Sequence, residues 1–184
     1  MKKIIMAITG ASGSLYALEF LKLLEGLEVE THLIVSQAGE EVLFLELGEH
    51  SGLDQLISYR YKIDDFTAPM ASGSAEFDAM VILPCSMGTL AAVAGGLSAN
   101  LIHRAADVTL KERRPLVLAV RETPLNRTHL RNMLAVHEAG AVICPAMPGF
   151  YHQPATLEDL ARGYAGRVAE QLGIKVASVP RWKG

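Results

Sequence analysis

Five short runs rich in apolar and β-branched residues recur along the chain: KIIMAI (3–8), VETHLIV (29–35), AMVILP (79–84), PLVLAV (115–120) and GAVICP (140–145). Segments with helical periodicity separate them, over 14–24, 38–47, 89–94, 102–111, 128–139 and 157–172. Strands that alternate with helices need crossover connections, so the expected fold is α/β, a three-layer sandwich with a mainly parallel sheet between helices. At 184 residues, half of them apolar, this is a single domain over 1–184. No repeat or low-complexity linker divides it. The most irregular stretch, His50 to Ser74, carries Gly52, Pro69 and Gly73 and is a candidate wall for a binding site.

A formal charge of -3 gives no general attraction to nucleic acid or anionic lipid, although a local basic patch can still bind phosphate. Cys85 and Cys144 have neither metal-ligand spacing nor a disulfide frame, which fits reduced thiols and a cytoplasmic location. The opening MKKIIMAITG stops at a glycine turn and lacks the length and cleavage region of a signal peptide, so it reads as a first strand. The longest apolar stretch, Ala79 to Gly95, is broken by Pro84, Ser86 and Gly88 and does not read as a membrane span. His50, His103, His129, His137 and His152 show no repeated ligand spacing, so no metal site is expected.

In an open parallel sheet, ligands collect at the carboxyl ends of the strands. After the first run comes TGASG (9–13), where helix-opening amides favour an anion, Gly10 permits close approach and Ser12 offers a hydroxyl; the plainer reading is a tight turn. The G-x-x-G spacing, with Glu30 near the start of the second run and Ser36 at its end, suits a mononucleotide better than a dinucleotide. PCSMGTLAA (84–92) brings Ser86, Gly88 and Thr89 to a helix start, which is either a ligand site or an ordinary cap. RETPLN (121–126) puts Arg121 and Glu122 at the rim, for flavin or phosphate oxygens and proton relay, or as a surface ion pair. PAMPGFYHQP (145–154) is a proline-stiffened loop that carries Phe150, Tyr151 and His152. Lys111, Arg113 and Arg114 suit a helix C-terminus, although Lys111 can also face an anionic substrate.

Taken together, TGASG, PMASGS (69–74), PCSMGTLAAVAGG (84–96), LIHRAADVTLKERRPLVLAVRETP (101–124) and PAMPGFYHQP closely resemble the UbiX-type flavin prenyltransferase family over nearly the whole chain. The resemblance implies a Rossmann-like or flavodoxin-like subunit that binds FMN through Gly10, Ala11, Ser12, Ser36, Ser86, Met87, Gly88, Thr89 and Arg121. It also implies a dimethylallyl phosphate site of Tyr151 and Arg167, with Arg104, Lys111 and Glu122 nearby and some of these crossing a subunit boundary. From periodicity alone Arg167 is only an exposed charge on the last helix. Phe66 stands where some relatives carry tryptophan, and it and Trp182 are candidate walls for the allylic group.

The implied reaction joins the prenyl group to flavin N5 and C6 of reduced FMN and releases phosphate. Cations and the Tyr151 hydroxyl would stabilise the departing charge. Glu46, Glu122 or the phosphate itself would remove the C6 proton, with Ser12 as relay. The product would go to a UbiD-type decarboxylase, with ubiquinone synthesis as one pathway, and the protein would form a large homo-oligomer, by resemblance a dodecamer. Monophosphate and diphosphate donors both stay open. The related flavin-dependent cysteine decarboxylases carry P-A-S-A-N-T and P-x-M-N-x-x-M-W, where this chain reads PCSMGT and PAMPGFYH, so that Gly88 and Pro148 replace asparagines. A noncatalytic FMN carrier is the other alternative.

Overall fold

The computed structural model describes residues 1–49, 52–177 and 179. Six strands form one all-parallel sheet: β1 (Lys2–Ile8), β2 (Val29–Val35), β3 (Tyr59–Tyr61), β4 (Ala79–Cys85), β5 (Leu116–Val120) and β6 (Val142–Ile143). The helices between and after them are α1 (Ser14–Leu24), α2 (Gln37–Leu47), α3 (Met87–Ala94), α4 (Leu101–Lys111), α5 (Arg127–Glu138) and α6 (Leu157–Gln171). The order across the sheet is β3-β2-β1-β4-β5-β6. The chain therefore builds outward from β1 in one direction, then returns and builds outward in the other, leaving a crevice where β1 meets β4.

Period-two alternation sorts the strand residues into two apolar layers. Ile4, Met6 and Ile8 of β1 join Phe20 of α1, Leu43 of α2 and Val168 of α6 in one layer. Ile5 and Ala7 join Leu90 of α3, Ile102 of α4 and Val136 of α5 in the other. Helices α1 and α6 pack on each other across a buried charge. Glu19 is fully buried, and its carboxylate accepts from Lys22 Nζ at 2.7 Å and from Arg162 Nε at 2.9 Å and Nη2 at 2.8 Å.

The irregular stretch before residue 74 holds the edge strand β3, which the sequence reading missed: three residues with an arginine in the middle are too short to show a period. The imidazole of His32 stacks on Tyr59 at 4.8 Å and meets the Tyr61 hydroxyl at 3.0 Å. Glu30 is bonded to His32 at 2.7 Å, so it serves β2 and not a ribose. Helices α2, α3, α4 and α5 each begin slightly earlier than expected, because their capping residues Ser36, Ser86, Asn100 and Asn126 stand just ahead of the apolar pattern. The last strand run shrinks to β6, whose short pairing ends ahead of Cys144 and Pro145. Trp182 and His50 lie outside the described residues.

Candidate active site

The crevice is fastened at its base by Thr9. Its hydroxyl donates to the Pro84 carbonyl at 2.9 Å and accepts from the Ser86 amide at 2.8 Å, joining the ends of β1 and β4. Sequence reading gave Thr9, the first residue of TGASG, no role of its own. Its role follows only from the adjacency of β1 and β4.

The turn after β1 does hold an anion, but that anion belongs to the chain. The Glu46 carboxylate accepts from the Gly13 amide at 3.0 Å and from the Ser14 amide at 2.7 Å, at the positive end of α1. The amides of Gly13 and Ser14 are thereby taken by a carboxylate of the chain itself. Gly10 is accounted for by packing, since a Cβ there would lie 2.5 Å from that of Ala38 in α2. Ala11 is buried, with its amide bonded to the Thr9 carbonyl at 2.8 Å. Burial pushes the Glu46 carboxyl up, but hydrogen bonds from the Ser12 hydroxyl and from the Gly13 and Ser14 amides outweigh it and hold the group below the ordinary carboxylate value.

That depression has a stability consequence. A carboxyl whose folded value lies below its unfolded one contributes stability above the unfolded value, and the contribution disappears as pH falls through the folded value. Glu46→Gln is therefore expected to unfold at lower urea than the wild type at pH 7, with the gap closing as pH falls below about 4. A gap of the same size at pH 7 and pH 3 would contradict the assigned contact.

Two further helix starts stand at the ends of β2 and β4. Ser36 caps α2 by accepting from the Gly39 amide at 3.0 Å. Ser86 caps α3 by accepting from the Thr89 amide at 3.3 Å, and it donates to the Thr89 hydroxyl at 3.1 Å. The side chain of Met87 is buried in the core, so only its backbone faces the helix start. Gly88 contrasts with Gly10: a Cβ there would meet nothing within 4 Å. The chain's own packing does not require glycine at 88, and its bare backbone leaves room for a ligand against the amides of the first turn. This open, capped helix start has the room and the dipole for a phosphate.

Arg121, at the end of β5, donates through Nε to the Ser12 carbonyl at 3.1 Å and draws the two loops together. Ser12, Glu46 and Arg121 line one cleft of about 490 Å³ with Tyr16 and Ala146. Glu122 is exposed, and its carboxylate accepts from the Thr123 amide at 2.9 Å. It faces an adjoining cleft of about 390 Å³ shared with Arg121, Pro145 and Met147. The loop after β6 thus stands between these clefts and a third cavity.

That third cavity, about 210 Å³, is lined by Tyr151 and Arg167 with Tyr164, Gly163 and His152. Tyr164 donates to the Cys144 carbonyl at 2.5 Å and tethers the loop to α6. The structure therefore brings Tyr151 and Arg167 together although they are far apart in sequence. Arg104 and Lys111 are elsewhere. They belong to α4, on the opposite face of the sheet from α6. Arg104 donates to the Ala71 carbonyl at 3.0 Å and pairs with Asp107, while Lys111 pairs with Glu112. A wider hollow of about 730 Å³ beside Lys111, Arg113 and Arg114 lies at the amino edge of the strands, away from every helix start. Phe66 is half exposed and lines none of the three clefts.

Comparison with known proteins supplies an independent line. A family model described as Flavoprotein matches residues 1–165. A protein of Methanothermobacter thermautotrophicus named flavin prenyltransferase UbiX is 49% identical, covering 100% of this chain and 97% of that one. The crystal structure of AnUbiX (PadA1) in complex with FMN and dimethylallyl pyrophosphate superposes with a TM-score of 0.96 at 44% identity, over 100% of this chain and 98% of that one. The dodecameric FMN-dependent Ubix-like decarboxylase from Escherichia coli O157:H7 gives a TM-score of 0.94 at 39% identity, over 99% and 100% of the two chains.

Proposed function

The chain belongs to the Flavoprotein family and, within it, to the UbiX flavin prenyltransferases, and from that premise we propose that it transfers a dimethylallyl group from dimethylallyl phosphate to reduced FMN. The observation that carries this reading is the pairing of an open helix start at Gly88, after β4 in the β1–β4 crevice, with a separate basic cavity across the loop after β6. Reduced FMN supplies the nucleophilic N5 and C6 positions. FMN is held through the turn at Gly10, Ala11 and Ser12, through the starts of α2 and α3, at Ser36 and from Ser86 to Thr89, and beside Arg121.

Arg167 and the Tyr151 hydroxyl hold the phosphate as its bond to the allylic carbon breaks, so that the departing charge meets donors already in place. Glu46 is ionised at neutral pH and lies against Ser12, an arrangement suited to taking a proton through the serine hydroxyl. Glu122 at the adjoining rim is the second acceptor. Apolar walls from Ala146, Met147 and Tyr16 keep water from the allylic carbon. Arg104 and Lys111 reach a phosphate only as contributions from another subunit, since the sheet separates them from Arg167 of their own chain. A dodecameric relative supports such an assembly, and Leu97, Leu130 and Leu134 are exposed apolar residues available to it. No described helix is long and apolar enough to cross a membrane. The prenylated flavin passes to a UbiD-type decarboxylase.

Anaerobic incubation with reduced FMN and dimethylallyl phosphate, followed by mass spectrometry of the flavin, is expected to show a gain of one five-carbon prenyl unit. The gain should need both protein and donor. Unmodified flavin with both the monophosphate and the diphosphate, in protein that demonstrably binds FMN, would overturn the reaction and leave a flavin carrier.

A further inference from the structure

His152 lines the cavity of Tyr151 and Arg167, yet both of its ring nitrogens are buried and neither has a hydrogen-bond partner. Buried polar atoms in native proteins are nearly always paired, and an unpaired one that persists points to a ligand or a role in chemistry. The ring is held from two sides. It meets the Tyr151 ring edge-on at 5.4 Å, and it rests against the bare backbone of Gly163 inside α6. A Cβ at 163 would stand 2.9 Å from His152 Nε2 and 3.0 Å from Cε1. Glycine within a helix is destabilising relative to alanine, and here its absent side chain makes the seat for the imidazole.

The surroundings define what can satisfy those nitrogens. Arg167 brings a guanidinium and Tyr151 a hydroxyl, and no carboxylate is among the described residues lining the cavity. A guanidinium, a phenol and an imidazole on one small cavity match a tetrahedral oxyanion. An imidazole keeps at least one N–H in either protonation state, so the donor is present across neutral pH.

We propose that His152 is a phosphate ligand of this cavity, donating an imidazole N–H to a phosphate oxygen of the prenyl donor beside Tyr151 and Arg167, with Gly163 providing its seat. The identity of the donor rests on the prenyltransferase reading; the anion site rests on the geometry of this chain. The test uses protein saturated with FMN, so that the flavin phosphate site is filled, and titrates inorganic phosphate by calorimetry. His152→Phe keeps the bulk and is expected to weaken phosphate binding by roughly tenfold or more, while His152→Gln, which retains an N–H, stays within about threefold of the wild type. FMN affinity stays unchanged in both. Gly163→Ala displaces the imidazole without removing it and is expected to weaken phosphate to a similar extent, which decides the matter if the phenylalanine variant does not fold.

Equal phosphate affinity in the wild type and these variants, or no phosphate binding by the wild type, would overturn the proposal. The two readings fail separately. A wild type that prenylates flavin with a KM for the donor unaffected by His152→Phe removes His152 from the site and leaves the reaction. Phosphate binding that depends on His152, in a protein that never prenylates flavin, removes the reaction and leaves the site.

Discussion

Arg167→Met is expected to lower kcat/KM for dimethylallyl phosphate by roughly 100- to 1000-fold while FMN affinity stays within about twofold of the wild type. The size follows from the work assigned to the side chain. Phosphate is a poor leaving group, and a fixed guanidinium meeting the charge as it develops acts mainly on the transition state. The fold has little need of the residue. Arg167 lies on the outward side of α6 with 60% of its side chain exposed, and its ion pair is with Glu170 on the same helix. The melting temperature should therefore stay close to that of the wild type. Arg167→Lys keeps the charge and loses the planar two-pronged donor, so its activity is expected to fall between the two. Unchanged turnover in Arg167→Met would remove the residue from the reaction, and a loss of FMN affinity of the same size would move it to the flavin site.

The second large effect concerns stability. Glu19 has no exposed side-chain surface, and its two cations, Lys22 and Arg162, are each less than half exposed. Replacing both cations with methionine leaves a carboxylate buried and unpaired between α1 and α6. The expected cost is about 3 kcal/mol, or a melting temperature lower by roughly 6–12 °C for a domain of this size. Adding Glu19→Met to that double variant removes the stranded charge and should recover most of the loss, because apolar side chains of similar volume replace buried ion pairs well. Thermal unfolding of the three proteins decides it. A double variant that melts within about 2 °C of the wild type would show that the pairing does little for the α1–α6 contact.

Much of the site was legible because in a parallel sheet the ends of successive strands fall on one edge. TGASG, Ser36, PCSMGT, Arg121 and the loop from Pro145 each follow a strand, and the structure places them along that edge. Which atoms meet there was not legible. Glu46 reaches back across α2 to the amides of Gly13 and Ser14, and the sequence separation of 32 or more residues carries no sign of it. Gly10 and Gly88 look alike in the chain. One is filled by Ala38 and the other is open, a difference set by where α2 docks. Arg104 and Lys111 share a helix with helical spacing, but only the handed path of the crossovers puts that helix on the face opposite Arg167.

The sequence by itself determined the α/β class, the positions of five of the six strands and all six helices, and the strand ends from which a site is built, because these depend on periodicity and on residues near in the chain. The edge strand β3, the Glu46 cap, the Thr9 bridge and the buried Glu19 pair were decided by tertiary structure alone. Each is a hydrogen bond, ion pair or backbone ladder between segments that only the folded chain brings within 3.2 Å. Such contacts depend on geometry after docking, and local composition carries no record of the partner.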